Sequence, residues 1–220
     1  MKKQLSVLKE KHGQSVVEFA LVLPLLLLFF LGMVEIGTAF YDYITLASAN
    51  REGVRLASRG RFEDETVLDR IVVSGGIREP ESGILENAFV TTGEDANLGI
   101  ILTHFPIDED GNLGDRTIVV TGTIYIDGAP IYLPSVADPQ VYSRISGNYE
   151  DFHGDITGKI NDRRVAEGYD PQTSEIVVIE TFFAHRPFLL GVALNMLQIP
   201  DPMTLYLSSS MRVMRDSRIN

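Results

Sequence analysis

The chain has 220 residues, is 45 % hydrophobic, holds no cysteine and carries a formal charge of −11. A balance this acidic argues against nucleic acid as a partner and against anionic lipid headgroups as the main one. The lack of cysteine excludes a disulfide framework and a thiolate metal site.

Residues 1–13 form a basic leader in which Lys2, Lys3, Lys9 and Lys11 face a single acid, Glu10. Without the leader the formal charge becomes −14. From Val16 to Phe40 only Glu18, Glu35 and Thr38 are conventionally polar. Crossing a bilayer takes roughly 20 apolar residues, so this stretch predicts a transmembrane helix in contact with membrane lipid. Lysines before the span and an acidic bulk after it predict a single-pass cell-membrane protein, N-terminus cytoplasmic and C-terminal domain extracytoplasmic. Arg51, Arg55, Arg59 and Arg61 run against that rule, since they follow the span. A cleaved secretory signal should have an apolar region of about 7 to 15 residues ending in small residues. The segment here is longer and no A-x-A site closely follows it. A plain uncleaved anchor is the simpler alternative.

Glu18 is the odd residue of the span. An ionised carboxylate at membrane depth costs about 2.5 kcal/mol or more, so it calls for a partner cation. The α-amino group of a neighbouring subunit fits that need. Pro24 removes one helical hydrogen bond and predicts a kink or local melting. Glu35, flanked by Gly32 and Gly37, reads either as an interfacial carboxylate reaching headgroup water or as a polar contact between closely packed helices. Helical character continues to about Ser58, with Gly60 as a stop. Arg51, Arg55 and Arg59 lie at i, i+4, i+8 on one stripe, either a solvated face or an inter-subunit contact.

The run Gly13-Gln14-Ser15-Val16-Val17-Glu18 resembles the class III signal sequence of type IV pilin-like proteins. The marks Glu18-Phe19-Ala20, Pro24, Gly32-Met33-Val34-Glu35-Ile36-Gly37 and Arg51-Glu52-Gly53-Val54-Arg55 resemble the TadE/TadG-type pseudopilins of the tight-adherence (Tad, or Flp) pilus system. Ser174 to Arg215 has a weaker likeness to the same family. The resemblance implies cleavage after Gly13 by a prepilin peptidase, which makes Gln14 the first residue and Glu18 the fifth. It also implies other pilin-like subunits and the inner-membrane Tad assembly platform as partners, incorporation into a pilus, and a part in surface adherence. It divides the chain into a leader (1–13), a transmembrane pilin-like helix (14–59) and an extracytoplasmic domain (60–220).

Beyond residue 60, Glu65 to Val73 is apolar-periodic, helix or strand, and Ile84 to Thr91 is ambiguous. Thr117–Ile126 is β-branched and bounded by Asp115 and Asp127-Gly128, so it predicts a strand. Glu175–Phe183 and Met203–Val213 predict two more. Residues 138–173 are polar and glycine-containing and predict a long excursion with a short helix near Ile156–Glu167. Pro187 to Ile199 is too short to span a membrane and reads as a buried connector helix between two strands or as a membrane-surface or subunit contact. The expected fold class is α+β: a long N-terminal helix, then a small domain with a three- or four-stranded antiparallel sheet.

Chemistry-bearing motifs are few. Glu94–Gly99 recurs as Glu109–Gly114, and both read as acidic turns. Asp108, Asp110 and Asn112 put oxygens at alternate positions, as a calcium loop does. Leu113 and Val119 stand where that loop wants Gly and Glu, so a solvated turn is the stronger reading. His12, His104, His153 and His185 show no metal spacing, and no phosphate loop, dinucleotide fingerprint or nucleophile elbow is present. No cofactor and no catalysis are expected. Two functions compete: a pilus assembly component, and a membrane-anchored extracytoplasmic binding or enzyme domain with the helix as a tether. A tether has no use for Glu18.

Overall fold

One helix, α1 (Gln4–Ala57), runs without a break from the leader through the apolar stretch and into the folded domain. At 1.5 Å per residue it is about 80 Å long. The computed structural model describes residues 4–59, 62–75, 89–145, 147–187 and 202–214. After α1 come α2 (Asp64–Ser74), β1 (Leu98–Ile107), β2 (Thr117–Ile126), β3 (Ala129–Tyr132), two short 3-10 turns, α3 (Gly147–Ala166), β4 (Ser174–His185) and β5 (Met203–Met214). The sheet is antiparallel throughout, in the order β3-β2-β1-β4-β5.

The α+β class stands, with five strands instead of three or four. The strands that the sequence reading lacked are the short β3 and β1, Leu-Gly-Ile-Ile-Leu-Thr-His-Phe-Pro-Ile. β1 lies between β2 and β4 and is covered on both faces, so it does not alternate apolar with polar. Short β3 contains Pro130, which suits an edge. Glu65 to Val73 resolves as helix α2. The excursion holds a 20-residue helix, longer than the short one expected. Ile84–Ala88 and residues 188–199 lie outside the described residues, and so does Gly60.

Strand β4 is buried along its whole length, and its alternating side chains separate two layers. Val177, Ile179 and Phe183 join Leu98, Ile100 and Leu102 beneath α1 and α2. On the other face Phe182 packs with Ile101, Ile124 and Leu133, and Ile176 and Val178 pack with Phe105 and Ile107. Helix α1 gives its layer Leu46, Ala49, Val54 and Ala57, and α2 gives Val67, Leu68 and Ile71. The spacing of three and four keeps each set on one helix face. Gly53 lets the two helices touch, because a Cβ there would stand 2.4 Å from Ile71 Cγ1.

Asn50 fastens α1 to the sheet. It is wholly buried, and its amide nitrogen lies 3.0 Å from Thr181 Oγ1, 3.2 Å from Leu207 O and 3.3 Å from Ile179 O. On the far side α3 meets the β1–β2 turn through glycines. A Cβ on Gly111, whose φ is +87°, would stand 2.8 Å from Gly154 O and 2.9 Å from Gly158 N. Asn161 then donates to Glu109 O at 2.7 Å and to Gln172 O at 2.9 Å.

Candidate membrane-anchor and assembly site

Helix α1 is the one helix among the described residues long and apolar enough to cross a membrane. Only 6 % of its most apolar window is buried. A core helix of a soluble domain would be covered there. Phe19, Leu21, Leu25, Phe29, Phe30 and Met33 all face outward instead. Phe40, Tyr41 and Tyr43 are exposed at the end of the apolar stretch, where aromatic rings suit a membrane–water interface.

The candidate residues divide by environment. Gly13 and Gln14 lie within the continuous helix. Glu18 is exposed in the apolar stretch. The helix passes Pro24 without melting, as helical residues flank it on both sides. Ideal Cβ atoms on Gly32 and Gly37 would meet nothing within 4 Å, so neither glycine marks a packing contact inside this chain. Glu35 differs from its neighbours: it is 6 % exposed, covered by the fold. An interfacial carboxylate reaching headgroup water would be open, so the burial favours a polar contact inside the protein.

Glu35 opens a buried stripe that runs up α1 through Asp42, Leu46, Ala49 and Asn50 to Val54. Sequence reasoning missed Asp42. It is 6 % exposed and its Oδ2 lies 2.6 Å from Nδ1 of His185, itself 3 % exposed, at the end of β4. The pair joins the end of β4 to α1 just past Tyr41. The two residues are 143 positions apart. The only local signal was an acid flanked by two interfacial tyrosines.

The arginine stripe lies on the exposed side of α1. Arg55 makes two bonds to Glu52, at 2.9 and 2.8 Å, and Arg51 Nε donates to Ala47 O at 3.1 Å. The Arg55 bond holds the Glu52 carboxyl below its usual range, with Arg55, Arg70 and Arg59 adding their charge.

Asp108 is the acceptor of a turn. Its Oδ1 takes the backbone N–H groups of Asp110 at 3.0 Å and Asn112 at 2.7 Å, and its Oδ2 takes the Asn112 side chain at 3.0 Å. Those donors pull its pKa down. Among the described residues no group of three or more histidines and carboxylates is arranged to hold a metal.

His104 on β1 stands between two acids, Nδ1 against Glu175 of β4 and Nε2 3.0 Å from Asp64 of α2. The carboxylates meet opposite sides of the ring, so the three groups do not converge on a point. Two acceptors require both ring nitrogens to carry protons. The Glu175 bond, with the charge of Asp64, raises the His104 pKa against the effect of burial. A raised folded-state value stabilises the fold fully below the unfolded pKa of about 6.5, and the gain is lost as pH rises through the folded value. Thermal melting of the domain should therefore show a falling midpoint above about pH 6.5, and His104→Gln should flatten that limb. An unchanged limb in the variant would assign the pH dependence elsewhere.

A family model described as TadE-like protein matches residues 13–55. Over these residues the chain is TadE-like. The match opens on Gly13 and closes on Arg55, so it takes in the whole exposed apolar helix and the stripe that carries the domain. The TadE-like segment points to the Tad pilus, whose component family is not one of enzymes. No curated protein and no solved structure matches the chain.

Proposed function

We propose that this protein is a minor pilin-like (pseudopilin) component of Tad/Flp pilus biogenesis, cleaved after Gly13 by a prepilin peptidase and contributing to pilus assembly and surface adherence. The observation that carries the reading is a TadE-like helix whose apolar surface is open on all sides and holds Glu18. In the membrane, lipid covers that surface. In a pilus, the helices of neighbouring subunits would cover it. Cleavage frees the amino group of Gln14, and Glu18 of one subunit pairs with such an amino group as helices bundle. A mispaired register would leave a charge uncompensated in a dry bundle, so the pair acts on specificity more than on net stability. Gly32 and Gly37 let a neighbouring helix approach, and the arginines around Glu52 meet carboxylates of the next subunit. The orientation is N-terminus in, domain out.

N-terminal sequencing of the protein from native membranes or sheared surface fractions tests this reading. A start at Gln14 is expected. An intact Met1 in cells with a competent peptidase would favour the simple tether.

A further inference from the structure

The face of the sheet opposite α1 and α2 carries a small polar pocket of about 240 Å³. In the β4–β5 register Phe182 stands beside Tyr206, Glu180 beside Ser208 and Val178 beside Ser210. Residues opposite each other in a ladder share a face. Phe182 and Val178 belong to the layers away from the helices, so Tyr206, Ser208 and Ser210 lie on that side too. All three serve as strand-side lining of the pocket. Arg144 and Ile145, which follow the second 3-10 turn, complete it, with Val178 as an apolar wall.

Arg144 is the unusual member. Its backbone N–H donates to Glu180 Oε1 at 2.7 Å, which fixes the residue's place. Its guanidinium lies 4.8 Å from the centre of the Tyr206 ring and 5.6 Å from that of Phe182. A guanidinium has five N–H donors. Among the described residues, none of those on Arg144 has an acceptor. By contrast Arg55 and Arg163 reach carboxylates, and Arg186 and Arg212 reach hydroxyls. The side chain of Arg144 is exposed and is held by ring faces, which attract its charge and leave its fork of donors open.

The charge around the pocket selects the ligand. Glu180 is completely buried, with Ser143 Oγ, Arg144 N and Tyr206 Oη on its oxygens, and among the described residues it makes no ion pair with the guanidinium. One cation with one buried anion nearby suits a singly charged guest, whereas a dianion would be repelled by Glu180. Hydroxyls supply further donors: Ser210 is exposed, and Ser208 already bonds with Tyr206. A planar carboxylate matches the guanidinium fork with two parallel bonds. We propose that this pocket binds a carboxylate, with the Arg144 guanidinium on both oxygens, the Ser210 hydroxyl on one of them, and a short apolar stem against Ile145 and Val178. The site goes beyond the assembly reading and does not depend on it.

Nuclear magnetic resonance of the ¹⁵N-labelled full-length protein in detergent micelles tests this, with sodium acetate titrated against sodium chloride at equal ionic strength. Acetate should move the Arg144 Nε–H signal and the amide signals of Ser208 and Ser210 along a saturable curve, and chloride should not. Inorganic phosphate should bind more weakly than acetate. Arg144→Gln should weaken acetate binding roughly tenfold or more. Arg144→Lys keeps the charge without the fork and should fall between. Ser210→Val removes a donor at an exposed strand position, so a weaker affinity in that variant supports the site even where Arg144→Gln loosens the fold. A blocked aspartyl tripeptide tells two sources of the carboxylate apart. Saturable shifts from the peptide assign the site to an acidic side chain of a protein; shifts from acetate without the peptide assign it to a free small acid. No saturable shift from acetate, the same shifts from chloride, or tighter binding of phosphate would overturn the proposal. So would a folded Arg144→Gln variant that binds acetate like the wild type. None of these outcomes touches the cleavage after Gly13, which N-terminal sequencing decides separately.

Discussion

Replacing Glu18 with alanine is expected to leave the protein in the membrane and abolish its incorporation into a pilus. On the proposed pairing the two effects separate, because the carboxylate opposes the first step and serves the second. Removing an ionised group from the span relieves about 2.5 kcal/mol or more on insertion scales, so anchoring holds or strengthens. In the proposed helix bundle of cleaved subunits the same deletion would leave the amino group of Gln14 in a dry place without a counter-charge. Uncompensated buried charge costs about 3–5 kcal/mol, enough to reduce assembly by two orders of magnitude or more at about 1.4 kcal/mol per tenfold. Membrane fractionation with quantification of the chain in sheared pili measures both steps. Glu18→Asp keeps the charge on a shorter arm and should retain part of the function. Normal amounts of the alanine variant in pili would end the pairing model. Retention of the chain in the soluble fraction would show that Glu18 serves the anchor itself.

The second large effect belongs to Glu180, in the middle of β4. It is completely buried, and three donors satisfy its carboxylate. Ser143 Oγ donates to Oε2 at 2.6 Å; Arg144 N and Tyr206 Oη donate to Oε1 at 2.7 and 2.8 Å. Burial first, and then the Glu180 bond, raise the Tyr206 pKa to about 12, which keeps the phenol a donor. Ser143 and Arg144 belong to the segment that crosses the sheet's second face, so Glu180 holds that segment down. The Arg144 guanidinium stacks over Tyr206 at 4.8 Å and Phe182 at 5.6 Å and closes the layer. Glu180→Ala leaves three donors unpaired and a cavity behind them. The expected loss is about 4 kcal/mol, by analogy with other broken buried networks. For a domain of this size that lowers the thermal midpoint by roughly 10 °C. Glu180→Gln should fall between, since its amide group faces donors where the carboxylate had an acceptor. A midpoint within a degree or two of wild type for the alanine variant would mean that the segment is held by its apolar contacts alone.

Glu180 also shows where reading along the chain stops. Glu175–Phe183 reads along the chain as a strand with two acids, Glu175 and Glu180. Both are buried, because β4 lies between β1 and β5 with helices on one side and the 143–145 segment on the other. The same pairing explains the missing strand. Gly99 and Pro106 make β1 read as a loop, yet the glycine allows close approach to β2: a Cβ there would stand 2.4 Å from Ile124 Cγ2. Excess glycine in residues 138–173 likewise suggested irregular chain. Gly154 and Gly158 instead form the face on which α3 meets Gly111. Of the four histidines, His104 turned out to stand between two carboxylates and His185 to meet one, roles that no spacing in the sequence announces.

The sequence by itself determined a helix long and apolar enough to cross a membrane, the TadE-like character of residues 13–55, the α+β class and three of the strands, Thr117–Ile126 to the residue. These features are local: an apolar run long enough for a bilayer, a motif at fixed offsets, and β-branched runs closed by turn residues. Only the tertiary structure decided that the buried stripe of α1 begins at Glu35, that Asp42 meets His185, that Asn50 fastens the helix to β4 and β5, and that Thr204 of β5 reaches Tyr125 of β2. Each depends on which distant segments lie side by side. Burial and hydrogen-bond satisfaction are properties of that packing, so they change the meaning of a residue without changing anything near it in the chain.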